Sequence, residues 1–167
     1  MTQTSRRHAR CGFTLIEAAV ATIVIGLGIA ALLAAMGAGA RNTHAAQQLT
    51  TAALLTQEIR EWTAALPFVD PDPGQGAIPG PDGSSPQVFV DDLDDLMNVT
   101  YSPPRDGRGI AIEDLPDWSQ TLTLTWLDPD DFSSPLSPGG SDLVDVRVDI
   151  GYQGRQVMTT SWLISRR

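Results

Sequence analysis

Apolar and polar positions divide the chain into stretches of different period. Residues 13–40 are apolar almost without interruption, and Glu17 is the only charge among them. At 1.5 Å per residue a helix over this stretch is long enough to cross a bilayer. From Arg41 the polarity changes but the helical signal continues. Leu49, Ala52, Leu55, Ile59, Trp62 and Leu66 recur at spacings of three or four, while Gln47, Gln48, Gln57, Glu58, Arg60 and Glu61 mostly take the other positions. No proline occurs before Pro67, so one helix can run from Phe13 to Leu66. Pro67 ends it, because its ring disfavours helical geometry at Leu66 and it has no amide donor. The Leu49 to Leu66 stripe is read as the cover of a sheet. A coiled coil would need more heptads than the stripe provides.

The period then changes to two. Leu122, Leu124 and Trp126 alternate with Thr121, Thr123 and Thr125, and Val144, Val146, Val148 and Ile150 alternate with Asp145, Arg147 and Asp149. A third run, from Gln156 to Ile164, carries Val157, Trp162 and Ile164. The short Tyr152-Gln153-Gly154-Arg155 segment predicts a hairpin between the last two strands. Residues 128–141, rich in Asp, Pro, Gly and Ser, read as an exposed loop, and the six prolines in residues 67–86 mark a connector. Strict alternation predicts an antiparallel sheet with one buried face, which the amphipathic half-helix covers. The fold class is α+β: a long N-terminal helix packed on a small C-terminal antiparallel sheet.

Charge gives this architecture a direction. The chain has no lysine. Arg6, Arg7 and Arg10 precede the apolar stretch with no acid beside them, whereas 8 arginines face 19 acids after Ala40. A basic N-terminal flank and an acidic distal part place the N-terminus in the cytoplasm and the rest outside it. So acidic a domain is a poor partner for nucleic acid, and none is expected.

Candidate chemistry is sparse. Histidine occurs only at positions 8 and 44, and Cys11 is the single cysteine. Base-activated nucleophiles and histidine metal sites therefore lack their residues, and neither an enzyme nor a cofactor is expected. Asp91, Asp92, Asp94 and Asp95 could coordinate calcium, but a carboxylate cluster is more often a solvated face, and no metal ligand is assigned. Asp70-Pro71-Asp72-Pro73-Gly74 lacks EF-hand spacing and is read as a solvated turn.

Glu17 is the exception. A carboxylate at membrane depth costs about 2.5–3.5 kcal/mol on insertion scales and needs a partner. Cutting the chain after Gly12 would create one, the α-amine of Phe13, about one helical turn away. An ordinary secretory signal ending at Ala38-Gly39-Ala40 would have too long an apolar core with a charge inside it. A simple anchor would leave Glu17 unexplained.

The segment Gly12-Phe13-Thr14-Leu15-Ile16-Glu17, after a short basic leader and before an apolar helix, resembles the type IV pilin and type II secretion pseudopilin superfamily. The likeness covers the first 30 or so residues, and the helix-then-sheet order extends it more weakly to the C-terminus. It implies cleavage by a prepilin peptidase after Gly12, N-methylation of Phe13 by the same peptidase/methyltransferase, and an assembly role for Glu17. Cys11 would leave with the leader. The implied organisation is a leader at 1–12, a transmembrane and assembly helix at 13–40, an amphipathic helix at 41–66, a Pro/Gly/Asp-rich variable region at 67–117 and the sheet at 118–167. The implied location is the inner (cytoplasmic) membrane, single-pass with the C-terminal domain extracytoplasmic, and then a pilus or pseudopilus. Its partners would be membrane lipid and other pilin or pseudopilin subunits.

Two departures from the family pattern bear on subtype. The chain cannot form the C-terminal disulfide common in major pilins, and its apolar helix lacks their proline. Gly26, Gly28, Gly37 and Gly39 offer flexibility or close packing instead. The run Ile25-Gly26-Leu27-Gly28-Ile29-Ala30 and the short sheet look like the PilV-like minor pilins or the I-type minor pseudopilins. The alternative from a different class is a membrane-anchored extracytoplasmic binding module that does not polymerise.

Overall fold

Without an internal proline, the alanine- and leucine-rich N-terminal half and the amphipathic stretch join in a single helix, α1 (Leu15–Ala65). The Leu66 amide still donates to the Trp62 carbonyl at 3.2 Å, and Pro67 then stops the ladder. The computed structural model describes residues 14–71, 80–81 and 89–166. After α1 come a 3-10 turn at Asp94–Leu96 and the strands β1 (Thr100–Tyr101), β2 (Trp118–Asp128), β3 (Asp131–Leu136), β4 (Leu143–Tyr152) and β5 (Arg155–Ser165). The chain is α+β, as the patterning predicts.

Two compact units divide it, Met1–Ala45 and Ala46–Arg167, and α1 contributes to both. The first contains the apolar stretch, and every described side chain in it, residues 14–45, is exposed. Thr22 and Thr43 return their hydroxyls to the carbonyls of Ala18 and Gly39, at 2.8 and 3.1 Å. Their polar groups are thus satisfied within the helix, as a lipid environment demands.

The second unit is built on an antiparallel sheet in the order β1-β2-β4-β5, with β3 also paired to β2. Period-two patterning puts Leu122, Leu124 and Trp126 opposite Val148, Val146 and Val144 on one face, with the threonines on the other. That face is covered by Ala52, Leu55, Ile59 and Trp62 of α1. At the β4–β5 turn Gln153 and Gly154 have φ of 48° and 74°, the double left-handed geometry of a two-residue hairpin.

Four readings of the pattern need correction. Leu49 heads the predicted stripe yet is 51 % exposed, while Thr63 is buried, its hydroxyl bonded to the Ile59 carbonyl at 2.9 Å. Residues 128–141 are not all loop: β3 folds back on β2, with Asp128 opposite Asp131. Its six residues alternate poorly and expose both faces, so no amphipathic signal marks them. β1 joins the sheet from within the 67–117 segment, as a two-residue strand too short to give a period. Finally, the aspartate cluster is not a solvated face, since Asp92 and Asp95 are each 2 % exposed.

One polar side chain ties the layers together. Gln120 lies on the buried face of β2 with no exposure. Its Nε2 donates to the carbonyls of Leu55 and Arg105, both at 3.1 Å, and its Oε1 accepts from the Arg105 amide at 2.6 Å. It therefore links α1, the sheet and the loop before β2. The same loop is held by the Gly107 amide donating to Glu58 at 2.6 Å. Tyr101 packs against Trp62 with ring centroids 5.6 Å apart, and burial pushes its phenol up to about 12.

Candidate functional site

The predicted site residues fall at the start of α1. Gly12 and Phe13 lie outside the described residues. Thr14 is the last residue before the helix, and Glu17 is in its first turn. The Thr14 carbonyl accepts from the Glu17 and Ala18 amides at 3.1 and 3.2 Å, opening the backbone ladder. Around it the side chains bond reciprocally. The Glu17 amide donates to Thr14 Oγ1 at 3.4 Å, and the Thr14 amide and hydroxyl reach Glu17 Oε2 at 3.5 and 3.4 Å.

This arrangement is a capping box, in which an N-cap threonine and an acid three residues on satisfy each other's end groups. The negative charge also faces the positive end of the helix dipole. Thr14 was not singled out by sequence reasoning, although the Thr-x-x-Glu spacing announces it. Glu17 consequently has a local role besides any intermolecular one. Around it Leu15, Ile16 and Val20 are 89 %, 72 % and 54 % exposed, so the carboxylate sits in an apolar surface.

A second cluster lies far along the chain. Ligand atoms of Asp91, Asp92 and Asp95 lie within 4.8 Å of one another at the 3-10 turn. Asp92 Oδ1 accepts from the Asp94 and Asp95 amides at 3.0 and 3.2 Å, and Asp95 Oδ2 from the Asp91 amide at 3.0 Å. These bonds account for the local fold: each carboxylate caps a neighbouring amide, which draws the side chains inward. Burial, aided by the Asp94 charge and opposed by the Asp95 amide, pushes Asp92 up to about 6. Asp91 is also raised, by desolvation and then by Asp95. The sequence shows four aspartates but not that two of them turn inside.

Together these features define a sheet domain on a helix whose first part is apolar enough to cross a membrane. Residues 7–33 match the family described as the prokaryotic N-terminal methylation motif. The chain thus carries a prepilin-type N-terminal methylation motif, in keeping with its resemblance to type IV pilins and pseudopilins. The motif implies processing by prepilin peptidase and assembly with other pilin subunits, and it points to a structural, non-enzymatic protein. With the apolar helix it is compatible with an inner-membrane anchor. No curated protein and no solved structure matches the chain.

Proposed function

We propose that the chain is a minor pilin or pseudopilin. It is inserted in the inner membrane with its acidic domain outside, cut between Gly12 and Phe13, N-methylated on Phe13, and built into a type IV pilus or type II secretion pseudopilus. The observation that carries this reading is the apolar first part of α1, whose described side chains are all exposed, overlapping the methylation motif and carrying one carboxylate, Glu17, in its first turn. In a filament that surface is covered by neighbouring helices, and Glu17 meets the amine of an adjacent Phe13. Such a pair is strong in a low dielectric, and an unpaired partner is costly, so it selects register as well as partner.

The intramolecular capping box favours a second reading, in which Glu17 only starts the helix and the chain is an anchored binding module that does not polymerise. Two substitutions separate them. Glutamine preserves a capping box but carries no charge. Under the assembly reading, Glu17→Gln and Glu17→Ala both abolish incorporation into sheared filaments or restore no secretion in a deletion strain. If Glu17→Gln assembles at wild-type level, the charge has no assembly role; if the wild-type chain itself is absent from filaments and Glu17→Ala leaves its membrane anchoring unchanged, the anchor reading takes the place of the assembly reading. Intact mass of the membrane-extracted protein tests the processing itself. Loss of residues 1–12 with one added methyl group is expected, and an intact Met1 or a cut after Ala40 overturns it.

A further inference from the structure

The sheet ends unevenly. On one side of β2 lie β1, only two residues long, and β3, which Pro135 interrupts. At the other end of the order stands β5, eleven residues paired to β4 alone among the described residues. Exposed edges are ordinarily blunted by charge, proline or brevity. Residues 156–165 have no charge, no proline and no glycine, and they are rich in β-branched and aromatic side chains.

The cover is incomplete along the same strand. Val144, Val146, Val148 and Ile150 of β4 are fully buried, whereas their partners on β5, Ile164, Trp162, Thr160 and Met158, are only partly so. A cleft of about 660 Å³ opens between β5 and the end of α1, lined among others by Arg60, Thr63, Leu66, Phe68, Trp162 and Ile164. Among the described residues the indole Nε1 of Trp162 has no hydrogen-bond partner, although a buried indole N–H usually finds one. Among the described residues, β5 thus has an outer edge that no strand pairs and an inner face that α1 covers only in part.

Charge decides what fits there. Residues 154–167 contain no acid, against 19 in residues 41–153. Arg155 and Arg166 stand at the two ends of β5, and Arg60 at the cleft. Arg166 has one long contact with Asp142, 3.5 Å between two exposed side chains, which leaves its charge available. A second β5 paired antiparallel in register would set Arg155 against Arg166, and like charges across a pair are unfavourable. A second copy's β3 would bring Pro135, which has no amide for the ladder.

We propose that the β5 edge accepts an extended strand from a different polypeptide, with apolar alternate residues over the cleft and acidic residues at both ends. Backbone hydrogen bonds supply the affinity, and the arginines the selectivity. The proposal is independent of how the N-terminus is processed or whether the chain polymerises.

The test uses the full chain in detergent micelles and two synthetic peptides of alternating valine and threonine, one flanked by aspartates and one by arginines. The aspartate-flanked peptide is expected to bind about tenfold more tightly. Binding should slow hydrogen exchange of β5 amides. In the doubly substituted Arg155→Glu, Arg166→Glu chain, whose changes are both on the surface, the preference should invert. Equal affinity for the two peptides, protection elsewhere than β5, or self-association of the chain lost on that double substitution would each overturn the proposal.

Discussion

Gln120 and Asp92 show how single polar side chains set the energetics of the sheet domain. Every hydrogen-bonding group of the Gln120 amide is engaged, and its partners include the amide and carbonyl of Arg105. Leucine at this position has similar volume but strands both, so Gln120→Leu is expected to destabilise the fold by about 2–4 kcal/mol, read from urea unfolding. Asp92 works in the opposite sense. Its folded pKa of about 6 lies above the ordinary 3.8, so ionisation disfavours the folded state. The penalty is absent below about pH 3.8, develops as pH rises, and is complete above about 6. Asp92→Asn retains an oxygen for the Asp94 and Asp95 amides. It should raise the melting temperature at pH 8 and leave it nearly unchanged at pH 3.5. Neither role can be read from the sequence, where Gln120 is a polar residue just ahead of the Leu122 to Trp126 alternation and Asp92 is one of four similar acids. Their roles depend on which groups the fold brings opposite them.

At the scale of elements, legibility followed the length of each period. α1, β2, β4 and β5 carry long unbroken patterns, and the structure has them where the patterns predict. β1 and β3 are too short or too uniformly polar to announce themselves, and they form because β2 offers them an edge. The capping box at Thr14 is legible in the Thr-x-x-Glu spacing, although a carboxylate at membrane depth equally calls for a partner outside its own helix. Turn chemistry was the most local signal of all. Gly154 occupies φ of 74° with open space around it, so Gly154→Ala is penalised by backbone conformation alone. A loss of about 1 kcal/mol is expected, measurable by denaturant midpoint. Gly109→Ala should cost more, because its φ of 76° is combined with the Trp62 ring 2.6 Å from the added carbon.

For the molecule as a whole, the charge distribution and the open edge describe one surface. An acidic domain repels other acidic domains, and its arginine-flanked strand is the place where that repulsion is locally reversed. Salt should therefore weaken association at β5 while leaving the hydrophobic core unaffected, so peptide affinity is expected to fall between 50 and 500 mM sodium chloride at constant melting temperature. The same geometry gives the chain an optical reporter. Of its four tryptophans, Trp62, Trp118 and Trp126 are 7 %, 6 % and 4 % exposed, and only Trp162 borders the cleft and is less completely buried. Acrylamide should thus quench one indole selectively, and Trp162→Phe should remove the quenchable fraction. A strand that seats on β5 would shield that fraction and blue-shift its emission, so occupancy of the edge can be followed in unlabelled protein by its own fluorescence.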